Sequence, residues 1–180
     1  MTTPVLGRLT GLPVHEHPEL LAEPTATALA GWPPAAEVGV VEIDPELADT
    51  AACSAAYDLP LTAGANCVVV SGRRDGQERV AACMVPADLR ADVNVLVKRL
   101  LDVRKASFLS MERAVAESGM EYGGITPLGL PQEWRVLVHE GLLAVPVVVI
   151  GSGVRRSKIL LPGRLLAELP RAEVVADLAR

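Results

Sequence analysis

The sequence predicts a fold of mixed α+β class, and two local patterns carry most of that prediction. Two Val-rich segments, residues 66–71 and 79–85, flank Asp75-Gly76, a dipeptide typical of a β-hairpin turn. Further on, apolar residues recur at the spacing of one helix face, namely Val93, Leu96, Val97, Leu100 and Leu101. Short strands and helices alternate irregularly elsewhere, which favours a mixed sheet over a doubly wound one.

Composition narrows the class of protein. The 180 residues are 50% hydrophobic but only 3% aromatic, so Val, Leu and Ala must fill the core. A net charge of −5 weighs against an extended phosphate-binding surface but allows a local basic patch. The three cysteines, Cys53, Cys67 and Cys83, fit no zinc spacing and are typical of a reduced compartment. No signal peptide or membrane-spanning run is recognisable, so we expect a cytoplasmic protein.

The chain divides into an N-terminal arm (residues 1–35) and a domain formed by residues 36–180. The arm is rich in proline, and we expect one helix within it at residues 18–29. The domain begins with an apolar strand at residues 37–43. Asp44-Pro45 then provides an N-cap and a first helical residue for a helix that runs to Tyr57.

The second half of the chain also alternates between predicted helices and strands. Asp92 caps the helix with the apolar stripe, and a strand at residues 103–108 follows it. Ser110 caps a further helix, which Gly119 ends. We expect the remaining strands at residues 135–139, 145–150, 157–161 and 172–176, with a short helix at residues 163–169.

Familiar catalytic and binding motifs are incomplete in this sequence. His15 and His17 form a His-x-His pair, which indicates either a metal site or an exposed loop. Residues 151–153 (Gly-Ser-Gly) follow an apolar strand, but the third glycine of a dinucleotide loop is missing. An anion-binding backbone nest and a simple strand bulge both remain possible there. No Gly-x-Ser-x-Gly elbow occurs, and the cysteines have the pattern of buried apolar residues.

A segment rich in glycine and proline, residues 122–131, separates the helix that Gly119 ends from the later strands. Glycine permits positive φ and close approach of backbones, whereas proline fixes φ and lacks an N–H group. Such a turn is rigid and has spare amide donors. These donors can hold a carbonyl or phosphate group at short range.

Residues 123–129 of this segment, Gly-Gly-Ile-Thr-Pro-Leu-Gly, are called the glycine turn below. This turn resembles the Gly-Gly-x-x-Pro-x-Gly turn of the YbaK/EbsC-type aminoacyl-tRNA deacylases, relatives of the prolyl-tRNA synthetase editing domain. The resemblance extends over residues 38–175 in the order of elements. It implies a mostly antiparallel sheet, curled and partly barrel-like around a small pocket, with helices outside.

The resemblance also implies an activity and a set of site residues. The expected reaction is hydrolysis of a small amino acid ester at the 3′ end of tRNA, by backbone positioning and water attack assisted by the substrate's own ribose hydroxyl. It requires no cofactor, metal or membrane. The implied catalytic residues are Gly123, Gly124, Thr126 and Gly129. The implied substrate-binding residues are Asn66, Cys67, Lys105, Pro127, Gly151, Ser152, Gly153 and Lys158.

One departure from the family pattern leaves three functions open. The family usually has a lysine where this sequence has Asn66, and Asn donates hydrogen bonds without a positive charge. The first alternative is an editing deacylase, and the second is a binding module for aminoacyl-tRNA that has lost catalysis. A nucleotide- or metabolite-binding protein that uses the Gly151 nest is the third alternative.

Overall fold

The structure, a computed structural model, describes residues 3–180 and contains two main open sheets with a shared core, together with a two-stranded antiparallel sheet in the N-terminal arm. Its strands are β1 (Val5–Leu6), β2 (Leu9–Thr10), β3 (Leu12–Pro13), β4 (Gly39–Glu42), β5 (Ala65–Arg74), β6 (Gln77–Pro86), β7 (Ala106–Phe108), β8 (Arg135–His139), β9 (Val148–Gly151), β10 (Ser157–Leu161) and β11 (Ala172–Val175). Its α-helices are α1 (Glu23–Ala30), α2 (Thr50–Tyr57), α3 (Lys98–Leu100) and α4 (Met111–Ser118). Shorter 3-10 helices occupy Pro18–Leu20, Pro33–Glu37, Pro45–Leu47, Leu61–Ala63, Glu140–Ala144 and Gly163–Glu168.

The larger sheet has five strands in the order β11-β8-β6-β5-β7. The β5–β6 hairpin at its centre confirms the sequence prediction, with Arg74 opposite Gln77. The two turn residues, Asp75 and Gly76, have φ values of 51° and 79°. Positive φ at both central residues is what a two-residue hairpin turn needs to match the twist of its strands. Strands β6, β8 and β11 pair in parallel, so this sheet is mixed.

The smaller sheet has four antiparallel strands in the order β3-β4-β10-β9. Its edge strand β3 comes from the N-terminal arm. Most strand pairs in the two sheets are antiparallel, as the resemblance implied. The strands within residues 3–180 form no closed barrel.

Three apolar clusters arrange the sheets and helices in layers. The largest cluster joins residues of both sheets, including Met84 and Ile159, with Trp32 of the arm. A second cluster packs Val97 and its helix against the other face of the five-stranded sheet. A third packs Cys53 of α2 against the outer face of the four-stranded sheet. The helix at residues 93–100 and α2 therefore lie outside the sheets, as predicted, whereas α1 and α4 contribute Leu29 and Ala114 to the cluster that the two sheets share.

The helix with the apolar stripe (residues 93–100, called the stripe helix) and α4 lie where the sequence predicted them. Asp92 caps the stripe helix by accepting a hydrogen bond from the Val95 amide at 3.3 Å. Val93–Val97 is a π-helical turn that continues into α3, and its apolar stripe faces the sheet. Ser110 caps α4, and Gly119 ends it with φ of 68°.

Several predicted elements are shorter or broken in the structure. The predicted helix 44–57 is two pieces, because Asp49 is extended between the 3-10 turn Pro45–Leu47 and α2. The arm helix divides in the same way at the extended Ala22. The strand predicted at 103–108 begins only at Ala106, after Asp102 turns the chain with φ of 52°. Strand β9 begins at Val148, after Pro146, which has no N–H to donate to the sheet.

The helices of residues 3–180 are all too short or too polar to cross a membrane.

Candidate functional site

A cavity of about 290 Å³ opens where the two sheets meet. A single bridge between Gly64 and Val149 joins the start of β5 to β9 at this point. The residues that line the cavity are Ala48, Asp49, Thr50, Cys53, Ser54, Leu59, Gly64, Ala65, Asn66, Cys67, Val68, Tyr122, Gly123, Ile125, Val149, Ile150, Gly151 and Lys158. Two sheets, α2 and the glycine turn thus contribute to one concave site.

The glycine turn is joined to the loop between β9 and β10 by backbone hydrogen bonds. The Gly153 amide donates to the Gly124 carbonyl at 2.7 Å, and the Glu121 amide donates to the Gly153 carbonyl at 2.8 Å. The Arg155 amide donates to the Glu121 carboxylate at 2.6 Å. These bonds hold the two segments together as one wall of the cavity.

Close packing explains why glycine is needed in this wall. A Cβ atom on Gly151 would lie 2.3 Å from the Gly124 carbonyl oxygen and 2.6 Å from that of Ile125. A Cβ atom on Gly124 would lie 2.7 Å from the backbone of Val154. The neighbouring atoms are backbone atoms, which cannot move aside as a flexible side chain can.

The amide groups of the glycine turn divide into engaged and available donors. The Gly124 N–H donates to the Glu121 carbonyl at 3.0 Å, and the Thr126 N–H donates to the Met120 sulfur at 3.5 Å. Within residues 3–180, the N–H groups of Gly123 and Ile125 have no intramolecular acceptor, and both residues line the cavity. The available donors are therefore those of Gly123 and Ile125, whereas the amides of Gly124 and Thr126 are engaged inside the turn.

The second half of the turn faces away from the cavity. Thr126 and Pro127 are buried, and neither lines the cavity. Gly129 has φ of 86°, and a Cβ atom there would lie 2.3 Å from the Pro24 carbonyl oxygen. The structure therefore does not bring Thr126, Pro127 and Gly129 to the cavity, because this half of the turn packs against α1.

Asn66 and Cys67, two of the residues that the resemblance assigns to substrate binding, line the β5 side of the cavity. The Thr50 hydroxyl donates to the Asn66 side-chain oxygen at 2.8 Å, which leaves the Asn66 amide group available. Burial raises the pKa of the Cys53 and Cys67 thiols. Both thiols are therefore protonated at neutral pH and are poor nucleophiles.

The two candidate lysines lie in different places. Lys158 lines the cavity with only 8% of its surface exposed, and its Nζ donates to the Ala48 carbonyl at 2.8 Å. Lys105 is exposed, precedes β7 and does not line the cavity. Of the two lysines proposed from the sequence, only Lys158 is brought to the site.

Ser152 and Gly153 lie behind the cavity wall. The Ser152 hydroxyl donates to the Ser157 carbonyl at 3.0 Å and lies 2.7 Å from the Ser157 hydroxyl, in a buried network. A Cβ atom on Gly153 would lie 2.3 Å from Ala22. Both residues shape the β9–β10 loop and do not line the cavity.

Histidine chemistry does not contribute to this site. His15 is exposed, and His17 contacts Glu19 at 3.1 Å. His139 accepts a hydrogen bond from the Gly141 amide at 3.0 Å and so caps a 3-10 helix. No group of three potential metal ligands occurs in the part of the chain that the structure describes.

Several cavity residues were not predicted from the sequence. Asp49, Thr50 and Ser54 come from the start of α2, and Ile125 comes from the glycine turn. Arg155 lies beside Gly123, and its guanidinium donates to the Pro45 carbonyl at 3.0 Å. What Ile125 offers the cavity is a backbone amide without an intramolecular acceptor within residues 3–180, for which its apolar side chain gives no signal. The Asp-Thr pair before α2 is a recognisable helix start, but nothing local places it beside β5.

The family model for the aminoacyl-tRNA editing domain matches residues 44–169. The chain belongs to this family. The matched residues include α2, the hairpin, the glycine turn, β9 and β10, and they contain every residue that lines the cavity.

Solved structures support the fold of this editing domain. A crystal structure of a hypothetical protein has a TM-score of 0.70 at 22% identity, over 79% of this chain and 91% of that chain. A candidate trans-editing enzyme for prolyl-tRNA synthetase has a TM-score of 0.73 at 21% identity, over 86% and 94% of the two chains. At such identities the similarity establishes the fold alone. No curated protein gives a significant match to the sequence.

Proposed function

We propose that this editing domain hydrolyses the ester between a small amino acid and the 3′ end of a tRNA. The observation that carries the proposal is the pair of amide donors at Gly123 and Ile125, which lack an intramolecular acceptor within residues 3–180 and lie on the cavity. Donors fixed in advance stabilise negative charge on a reacting carbonyl oxygen, by about 3 kcal/mol for each donor.

The size of the cavity supports a small substrate group. A volume of about 290 Å³ is at the lower end of the range for ligand pockets. An aminoacyl group and the adjoining ribose match this space, while the rest of the tRNA stays outside. The Asp49 side chain is 75% exposed and lies 4.0 Å from the Arg155 guanidinium. We place these two charged groups at the mouth, where the tRNA enters.

The chemistry needs no protein nucleophile. Water attacks the ester carbonyl carbon, negative charge collects on the carbonyl oxygen, and the bond to the ribose oxygen then breaks. One proton of the attacking water goes to the ribose oxygen and the other to solvent, so that the amino acid leaves as its carboxylate. The protonated thiols of Cys53 and Cys67 are consistent with direct attack by water, assisted by the neighbouring ribose hydroxyl.

Release of amino acid from charged tRNA tests the proposal. We would charge tRNAs with alanine, serine, cysteine or a large residue such as phenylalanine, and measure the amino acid released with time. We expect faster release of at least one small amino acid than of phenylalanine, because the cavity limits side-chain volume. If no amino acid is released while a known deacylase is active on the same substrates, the proposal is wrong.

A binding module without catalysis is the second candidate, and Asn66 is the observation that favours it. Asn66 brings no charge to the position where the family usually has lysine. This candidate predicts that a non-hydrolysable aminoacyl-adenosine analogue binds the protein while charged tRNA stays intact. Rapid release of any amino acid in the panel would exclude it.

A further inference from the structure

Lys158 lies at a buried position in β10, and the residues that follow it in this strand are apolar. Its neighbours in β10, Ile159 and Leu161, pack into the main core, whereas Leu160 packs with Cys53 on the α2 side. Lys158 reaches that α2 side too, since its Nζ bonds to the Ala48 carbonyl at 2.8 Å. Burying an ammonium group here costs free energy unless another group compensates its charge.

Within residues 3–180, no carboxylate oxygen lies within 4.0 Å of the Lys158 ammonium. Burial lowers the pKa of Lys158, and the nearby Arg155 guanidinium acts in the same direction. The exposed Asp49 carboxylate acts in the opposite direction, as Cys53 does only in its thiolate form. Among the described residues, the ammonium thus has one carbonyl partner and no carboxylate within 4.0 Å, and it lies in a cavity open to a ligand.

The substrate supplies the missing negative charge only during the reaction. The aminoacyl ester is neutral at its carbonyl group, which becomes anionic when water adds to the carbon. The tRNA phosphates are anionic throughout, but they are large, hydrated groups that the small cavity keeps near its exposed mouth. The buried position of Lys158 therefore matches the aminoacyl end of the substrate better than a phosphate group.

We propose that Lys158 binds the carbonyl oxygen of the scissile ester as it becomes negative, together with the amides of Gly123 and Ile125. This inference rests on the proposed deacylase function. It gives the site a positive charge from β10, although Asn66 supplies none from β5. The same contact holds the carboxylate of the amino acid product immediately after cleavage.

Two adenosine-linked probes separate this role from general substrate binding. One is 3′-alanylamino-3′-deoxyadenosine, which is neutral at the reacting centre. The other is the matching 3′-(1-aminoethyl)phosphonate ester, which is tetrahedral and anionic there. Affinities would be measured by calorimetry for the wild type and for Lys158→Met, Lys158→Gln and Lys98→Met. Lys98 lies on the helix behind the five-stranded sheet and serves as the matched control.

We expect both Lys158 variants to bind the phosphonate about 10- to 100-fold more weakly, with little change for the amide. Lys98→Met should behave like the wild type. Lys158→Met should unfold at a temperature no lower than the wild type, because an apolar chain of similar length replaces a buried charge. Equal weakening of both probes, no weakening, or no binding of the phosphonate by the wild type would overturn the inference.

The pH profile gives an independent readout. If the charged Lys158 is needed, wild-type kcat should fall as the pH rises through the lowered pKa of Lys158, after subtraction of spontaneous hydrolysis. The kcat of Lys158→Met should be lower and lack this fall. Unchanged hydrolysis by Lys158→Met would overturn the inference and leave the deacylase function intact. Selective binding of the phosphonate without any release of amino acid from tRNA would instead overturn the deacylase function and leave the binding role of Lys158 intact.

Discussion

Glycine has different tasks in the β5–β6 hairpin and in the wall of the cavity. At the hairpin tip, a Cβ atom on Gly76 would meet no atom within 4 Å, and only its φ of 79° requires glycine. At Gly151, by contrast, a Cβ atom would lie 2.3 Å from a backbone oxygen of the glycine turn. In the hairpin, glycine is needed because the backbone has a positive φ. In the cavity wall, glycine is needed because two backbones approach each other closely.

The difference bears on function because close approach fixes the amide donors. The hydrogen bond from the Gly153 amide to the Gly124 carbonyl ties the glycine turn to the β9–β10 loop. The amides of Gly123 and Ile125 are then held in place without an intramolecular partner within residues 3–180. A site of this kind needs little reorganisation when charge develops on the substrate.

Gly151→Ala should have a larger effect than alanine at Gly123 or Gly76. The added methyl group overlaps the carbonyl oxygens of Gly124 and Ile125, so the glycine turn must move. We expect a loss of about 3 kcal/mol in the free energy of unfolding and at least about a 100-fold loss in kcat for deacylation. Urea unfolding and single-turnover release of amino acid measure the two effects.

Gly151→Ser is the companion variant, because it adds the same Cβ atom with a polar group. It should be at least as damaging as Gly151→Ala. Wild-type activity in either variant would show that the two backbones separate without cost, and that their close approach does not position the donors.

Local sequence patterns were enough to predict the hairpin, but they could not predict most of the residues that line the cavity. The Asp75-Gly76 turn, the Ser110 cap and the bounds of β10 depend on residues close in sequence. The position of Gly151 against Gly124 depends on the glycine turn packing against β9 and the β9–β10 loop after folding. Sequence spacing could therefore identify the glycine turn but not which of its amides remain available.

The same limit explains the individual site residues that were missed or misplaced. Lys105 and Lys158 both lie near strands in sequence, yet only the packing of α2 on the four-stranded sheet buries Lys158. Ile125 has an apolar side chain, and the role proposed for it belongs to its backbone amide. Gly129 matches the family motif, but its contact is with Pro24 of the arm.

Gly123→Ala should have an intermediate effect, and it separates torsion from packing. Gly123 has φ of 82°, close to that of Gly76, but its Cβ atom would lie 2.6 Å from the Arg155 guanidinium. The end of a flexible side chain can move aside, so we expect a cost of about 1 kcal/mol in stability, mostly from backbone strain. We expect kcat for deacylation to fall by about tenfold, because one amide donor shifts.

Comparison with Arg155→Ala identifies the cause of that loss. If Gly123→Ala lowers kcat by moving the amide, adding Arg155→Ala to it should not restore activity. Full recovery in the double variant would instead assign the loss to the displaced guanidinium. Rates of amino acid release for the two single variants and the double variant decide between these causes.

Gly76→Ala should have the smallest effect and should spare activity entirely. Its backbone strain is about that of Gly123→Ala, on the order of 1 kcal/mol, but the surrounding space is open and the hairpin tip is remote from the cavity lining. Gly76→Asn should recover part of this stability, because asparagine tolerates positive φ better than alanine. Urea unfolding of the wild type, Gly76→Ala and Gly76→Asn measures the order of their free energies of unfolding.

Equal loss of deacylation in Gly76→Ala and Gly123→Ala would mean that general destabilisation, and not the position of the amide, lowers the rate. An unchanged rate in Gly76→Ala at equal loss of stability would assign the effect of Gly123 to the site.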